Sequence, residues 1–512
     1  MRRRRLGRAA GALILACATL GGCASREVPD GWITVAIPVG PNNLDPRVGS
    51  DEASQRVHQL LFNSLVRLDA RLDVVPDLAS SLEAIEPERY RARLREGVRF
   101  HDGRELTSAD VVYTFSSFLD PAFLSPRKGA YRVLAAVEAV DRYTVDFVLT
   151  EPFGSFPINL VMGIVQEGAD EVSSRPVGTG PYAFVKSVPD DRVELVRFDE
   201  HFGGPAENAG LVLKVVPDDT MRGLELRKGT VDLVVNDLAP DIVHQLQRED
   251  RLQTATAPGA DYAYVGLNLR DPILQDVRVR RALAHAVDRS AIIEHLRRGL
   301  ATPAVGILPP MSWAFDAGIA EFDHDPAAAA RLLDEAGFPD PDGDGPGTRF
   351  RLTIKTSTAE FVRLQAAVLQ QQWQRVGVGV DVRSYEFATL YADVLRGNFQ
   401  AFTLQWVGVS DPDMLRRAFH SAQMPPAGFN RGFFADPEVD RLVEVATRSV
   451  DDAERRRLYG EAQRRIATQV PYISLWYKTN VAVFQPDIEG VQLTPTADFS
   501  TLRFVRKTPP AS

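Results

Sequence analysis

Hydrophobic and polar positions change their period repeatedly along the chain, and the changes mark out elements. Trp32 to Ile37 reads as a strand, with Pro41-Asn42-Asn43-Leu44-Asp45-Pro46 as the loop that leaves it. Val57, Leu60, Leu61, Ser64 and Leu65 fall at i, i+3, i+4, i+7 and i+8, the spacing of one helical face. Around Tyr90 the period becomes two. Tyr90, Ala92 and Leu94 alternate with Arg91, Arg93 and Arg95, which predicts a half-buried strand. After the turn at His101-Asp102-Gly103, Thr107 and Asp110 have capping-box spacing and open a helix with the stripe Val111, Phe115, Phe118 and Leu119. Val231 to Val235 and Tyr262 to Leu269 read as strands. Helices follow at about 277–287 and 288–298, the second capped by Asp288 and closed by Gly299. Val362, Ala366, Leu369, Trp373 and Val376 make another helical face, Phe399 to Trp406 another strand, and Tyr472 to about Phe484 is β-rich. Strands and helices in this mixture predict an α/β protein with sheets flanked by helices. There is no fixed-period repeat and no long biased linker.

Composition changes the picture mainly by exclusion. A 512-residue chain that is 45% apolar and 25% charged is long enough for several domains and is neither collagen-like nor wholly disordered. Its 59 basic and 68 acidic residues argue against nucleic acid as a partner, since phosphate binding needs a basic excess. The charge is unevenly placed. Arg2, Arg3, Arg4, Arg5 and Arg8 precede an uncharged apolar stretch from Ala9 to Gly22, the layout of an export signal and too short to span a bilayer. Leu20-Gly21-Gly22-Cys23 resembles the lipobox of bacterial lipoproteins, which implies a signal peptide at 1–22, acylation of Cys23 and a tether at 23–30. Cys17 leaves with the signal, so Cys23 is the only cysteine of the mature chain.

Catalytic tools are missing. There is no phosphate-binding GxxxxGK[ST], no GxGxxG, no GxSxG and no HExxH, and the eight histidines are scattered. Asp340-Pro341-Asp342-Gly343-Asp344-Gly345 matches the start of a calcium loop. The position that should supply a bidentate Glu is Arg351, however, so a polar turn is the favoured reading. No enzyme activity, metal or cofactor is expected.

Several stretches together resemble one family. They are Asn43-Leu44-Asp45-Pro46, Leu61-Phe62-Asn63-Ser64-Leu65-Val66-Arg67, the run from Leu94 to Gly103 with Thr107 to Val112, Val177-Gly178-Thr179-Gly180-Pro181-Tyr182, Asp276 to Leu283, and Ser410-Asp411-Pro412-Asp413. Their order and spacing are similar to the family 5 solute-binding proteins of bacterial ABC importers, which include dipeptide, oligopeptide and nickel binders. The resemblance implies a two-lobed periplasmic-binding-protein fold (class II, cluster C). Lobe one is then 31–264 plus 481–512, with an extra subdomain at about 47–175, and lobe two is 265–480. The lobe crossings are expected at Tyr264–Asn268 and Thr479–Phe484. It further implies a monomer that captures a peptide or peptide-like solute and hands it unaltered to a membrane permease by hinge closure. Within it Trp406 aligns with an aromatic wall of the pocket, and its N–H is a donor for ligand. Peptide binders carry an ammonium-holding aspartate three positions before the Asp-Pro. Here Gly408 occupies that place beside Val409, with Ser410 and Asp411 following. Asn43, Tyr182 after its glycines, Tyr385 and Arg431 complete the expected contacts, Arg431 as a partner for a ligand carboxylate. A ligand sensor or chaperone-like receptor on the same fold, and a secreted hydrolase, remain as alternatives.

Overall fold

The computed structural model describes residues 29–343, 345 and 347–508, so the export segment and Cys23 lie outside the described residues. One sheet of eleven strands runs through the molecule. Its middle is a pair of long antiparallel strands, Gln253–Leu267 and Tyr472–Phe484. On one side of this pair lie the strands of lobe one: Leu233–Val235, Trp32–Ile37, Gly210–Val215, Arg192–Arg197 and Tyr182–Val188. On the other lie those of lobe two: Ala401–Trp406, Phe350–Ser357 and Val378–Tyr385, with Ala301–Pro303 as a short addition beside Tyr472–Phe484.

The two long strands hold the lobes together, and their pairing breaks midway. Gln253 to Pro258 pairs with Phe484 to Thr479, and pairing resumes at Tyr262 opposite Tyr477, leaving Gly259, Ala260 and Asp261 as a bulge. Gly259 has a specific reason to be glycine: a Cβ there would sit 2.4 Å from the Lys478 carbonyl oxygen. The break precedes the stretch Tyr264–Asn268 expected as the first crossing. Tyr262, Tyr264 and Leu267 already pack in lobe-two cores.

Each lobe buries its own apolar groups. In lobe one Ile33, Val35, Ile37, Leu211 and Leu213 meet Leu60, Leu61, Tyr182 and Phe499. In lobe two one face of the sheet buries Trp373, Leu283 and Trp476, and the other buries Tyr264, Phe402 and Tyr459. A separate four-stranded antiparallel sheet, in the order Ala79–Glu86, Arg89–Leu94, Thr144–Leu149, Leu134–Asp141, carries its own core around Phe100, Phe115 and Phe147. The period-two reading holds there, with Tyr90, Ala92 and Leu94 all buried.

The helix expected around Val57 runs from Glu52 to Leu61, so Ser64 and Leu65 fall outside it. The chain turns extended at Phe62 because the strand-entry segment closes on the helix end: Gly180 N–H donates to Leu61 O at 2.9 Å. A Cβ on Gly178 or Gly180 would lie 2.0 and 2.4 Å from the Leu61 and Leu60 carbonyl oxygens. Between the helix Pro326–Glu335 and the strand Phe350–Ser357, Asp342 accepts from Gly347 N–H at 2.8 Å, as in a polar turn, while Asp344 lies outside the described residues. No helix among the described residues is long and apolar enough to cross a membrane.

Candidate functional site

A groove of about 970 Å³ opens between the lobes. That is the upper range of small-molecule sites. Lobe one supplies most of its wall, from the helix Glu52–Leu61, the segment 62–77, residues 201–203 and the stretch 492–504. Lobe two supplies Val407, Gly408 and Ser410. Four arginines, Arg56, Arg67, Arg95 and Arg503, face four carboxylates, Glu52, Asp69, Asp77 and Asp498, among many amides and hydroxyls. The wall is rich in both charges without an excess of either, which suits a zwitterionic or neutral polar solute better than a polyanion.

Much of the lobe-one wall is tied down by its own hydrogen bonds. Arg56 donates to Asp237 and to Glu52, both at 2.6 Å, while its guanidinium lies 4.8 Å from the Phe499 ring centre. Asp498 accepts from Gln59 at 2.9 Å and from Thr496 at 2.8 Å. Among the described residues no cation lies beside it, and burial pushes its carboxyl above the usual range. Asn63 donates to Asp77 at 3.1 Å, and burial likewise raises the Asp77 carboxyl. His201 meets Asn63 Oδ1 at 3.2 Å, and burial pushes the imidazole down to about 4, so it is neutral at pH 7. His58 and His101, behind the wall, are also pushed down to about 4 by burial and pair with the Asn43 and Gly180 carbonyls.

The lobe-two edge is differently made. Trp406 ends the strand Ala401–Trp406, and Tyr385 ends Val378–Tyr385. Both strands run parallel to Phe350–Ser357, so their carboxyl ends share one edge, where ligands of α/β sheets sit. The Arg431 guanidinium lies 4.5 Å from the Trp406 ring centre, 5.1 Å from that of Tyr391 and 5.5 Å from that of Phe429. It donates to the Tyr264 and Tyr391 hydroxyls at 3.3 and 3.0 Å. Trp406 Nε1 and Arg431 Nε are buried there without partners among the described residues.

The loop after Trp406 is fastened to the inter-lobe bulge. Asp261 accepts from Gly408 N–H and from the Gln405 amide, both at 2.9 Å, and Val409 N–H donates to Ala260 O at 2.9 Å. Gly408 has φ +61°, where glycine alone is unstrained. Gly408, which lines the groove, is thus bonded to the bulge between the two long strands.

The expected contacts separate into three groups. Ser410 lines the groove, while Trp406 and Arg431 pack together beside it and Tyr385 ends its strand on the same sheet edge, none of these three forming part of the groove wall. Val409, Tyr182 and Asn43 do not reach it. Val409 is buried in a lobe-two core. Tyr182 is fully buried and its hydroxyl donates to Asn208 Oδ1 at 3.0 Å, with the Leu502 carbonyl at 3.2 Å. Its glycines serve contact with the helix Glu52–Leu61 and leave no ligand approach. Asn43 Oδ1 accepts from Asp45 N–H at 2.8 Å, shaping its own loop. Asp411 lies where the subdomain touches lobe two, beside Ser155 and Arg455. Burial pushes its carboxyl up to about 6 against the pull of Arg455. Sequence reading missed Gln59, Asp498, Arg503 and the Thr494–Thr501 wall. Phe62, Asn63, Ser64 and Arg67, which line the groove, stand in a motif of the family resemblance without being expected as contacts.

Residues 73–425 match the family described as bacterial extracellular solute-binding proteins, family 5, middle region. The chain is 28% identical over 482 residues to the oligopeptide-binding protein AppA of Bacillus subtilis strain 168, covering 90% of this chain and 88% of that one. It is 30% identical over 473 residues to heme-binding protein A of Haemophilus influenzae, covering 85% of each. The solved structure of AppA from Bacillus subtilis in complex with a nonapeptide superposes with a TM-score of 0.75 at 25% identity, over 94% of this chain and 99% of that one. A two-lobed body with a groove between its lobes, and a family match across most of its length, place the chain in one group: it belongs to family 5 of the bacterial extracellular solute-binding proteins.

Proposed function

We propose that the protein is a lipid-anchored extracytoplasmic receptor of an ABC importer. It captures a peptide or peptide-like solute in the groove and delivers it chemically unchanged to the permease. The observation that carries this reading is the groove itself, with its loop 407–410 bonded through Asp261 to the bulge between the lobes. A solute touching both walls lowers the free energy of the closed form by its differential affinity for that form. Lobe one extends to the bulge at 259–261 and includes the C-terminal return, and lobe two begins at about Tyr262. Trp406, Arg431, Tyr385 and Ser410 supply the lobe-two contacts, with Arg431 and Trp406 offering donors to a solute carboxylate. Gly408 leaves no charge where an ammonium-holding aspartate is expected, so the carboxylate end of a peptide is the favoured handle. The lack of catalytic motifs in the sequence supports release without reaction.

The test is to purify the protein, identify any co-purified small molecule by mass spectrometry, and screen peptides with free or amidated C-termini by thermal shift. A true ligand at about 100 times its dissociation constant adds about 2.7 kcal/mol of stability. Turnover of the bound molecule, or no stabilisation by any peptide together with an empty mass spectrum, rejects the reading.

A further inference from the structure

A second cavity, of about 270 Å³, lies inside lobe two and shares no wall residue with the groove. Its origin is in the sheet. The strand Ala301–Pro303 pairs only with Trp476–Lys478, so Tyr472 to Ser474 have no strand beside them on that side. Arg289 fills part of the gap. Its Nε donates to the Ser474 carbonyl at 2.6 Å and its Nη1 to the Phe322 carbonyl at 2.8 Å. Among the described residues no carboxylate forms an ion pair with Arg289, its Nη2 makes no hydrogen bond, and burial pushes its pKa down. On the same cavity wall Gln463 is 4% exposed. Its amide nitrogen donates to the Ala314 and Tyr459 carbonyls at 2.7 and 3.0 Å, which fixes its orientation, and its Oε1 accepts from nothing. The cavity therefore holds a cation without an ion-pair partner, attracted only from a distance by Asp323 and Glu321, and a buried acceptor without a donor. Ala304, Ile307, Ile319, Phe419 and Ile466 form an aliphatic and aromatic lining, and the exposed acids Glu321 and Asp323 stand at the rim.

We propose that this cavity is a second small-molecule site, distinct from the transport groove, that takes a compact zwitterion with an aliphatic body, the chemistry of a branched-chain amino acid. The carboxylate lies on the free face of Arg289, the ammonium donates to Gln463 Oε1, and the side chain fills the apolar lining. The rim acids disfavour a second negative charge on the ligand.

The test uses L-leucine as probe, with isoamylamine (no carboxylate) and 4-methylpentanoate (no ammonium) as controls, by saturation-transfer NMR on the full protein. Leucine binds the wild type, and each control binds at least about tenfold more weakly. Arg289→Gln weakens leucine by a similar factor. Because Arg289 also caps four backbone carbonyls, Ala467→Leu serves as the second variant: it fills the cavity without removing a hydrogen bond. It abolishes leucine binding while melting temperature and groove binding stay as in the wild type. Leucine that fails to bind at about 10 mM, well above the range of a specific site, overturns the proposal. So does binding that survives Ala467→Leu but falls in Trp406→Ala, which would place leucine in the groove. A crystal soaked with leucine that shows only ordered water in the cavity also overturns it. Failure to bind, or water alone in the cavity, leaves the transport reading untouched, because that reading rests on the groove.

Discussion

On the lobe-one side of the groove the polar groups answer one another: Arg56 has Asp237 and Glu52, Asp498 has Gln59 and Thr496, and His201 has Asn63. At the carboxyl ends of the lobe-two strands, beside the groove-lining loop 407–410, Arg431 sits among aromatic rings with no acid in contact among the described residues, and Trp406 Nε1 and Arg431 Nε have no acceptor. Lobe one has its own loose end in Arg503 Nε, but its wall is largely a finished hydrogen-bonded frame. The contrast teaches a division of labour. A self-satisfied wall offers shape and a fixed floor, while an edge with spare donors gains hydrogen bonds only when a solute arrives.

Acid should separate the two sides most strongly. His58, His101 and His201 are held at about 4 in the folded protein against about 6.5 when unfolded. Between those values the unfolded chain binds protons that the folded one refuses, so stability falls as pH drops from about 6.5 to 4, by about 3 kcal/mol per histidine at most. Asp411 has the opposite sign. Its folded value of about 6 lies above its unfolded one, so its contribution is full at low pH and is lost as pH rises from about 4 to 6. Hydrogen exchange at pH 7 and 4.5, corrected for intrinsic rates, should show lobe one losing protection first. Simultaneous loss in both lobes breaks the comparison.

A matched pair of arginine substitutions comes next. Arg56→Met strands Asp237, whose carboxyl is already raised by burial, and should cost about 3–5 kcal/mol in denaturant unfolding. Arg431→Met strands no acid, so its stability should change by less than about 1 kcal/mol while solute affinity falls about tenfold. Equal losses of stability would mean that Arg431 is framework like Arg56.

Trp406→Ala sharpens the lobe-two side: affinity should fall by about tenfold with a modest loss of fold stability, since the indole is only partly buried. Unchanged affinity removes Trp406 from the proposed contacts. The smallest effect is expected from Asp261→Asn, which weakens the tie between Gly408 and the bulge and should lower affinity several-fold, by about 1 kcal/mol, with the melting temperature nearly constant. No change in affinity would show that the tie is not felt at the groove.

Local signals in the chain specify structure where one element suffices. The Thr107–Asp110 capping box is present, with Thr107 N–H donating to Asp110 at 2.9 Å, and Asp288 caps its helix through Ala291 N–H at 2.9 Å. Trp32–Ile37 and Tyr472–Phe484 have the predicted ends. The site was legible only in part. Tyr182 looked like a contact because glycines precede it. Yet which way a strand residue faces depends on the sheet that receives it, and here that face is the lobe-one core.

By itself the amino-acid order determined the alternation of strands and helices and the family resemblance carried by its motifs. Those features rest on periods and caps that act over a few residues. Only the folded molecule decided which polar groups meet. Gln59 binds Asp498 across 439 positions, Asp261 holds Gly408 across 147, and Gln463 is left without a donor beside a cavity. A hydrogen bond needs an approach of about 3 Å, and for partners so far apart along the chain that approach is set by sheet order and lobe packing, which spacing does not encode.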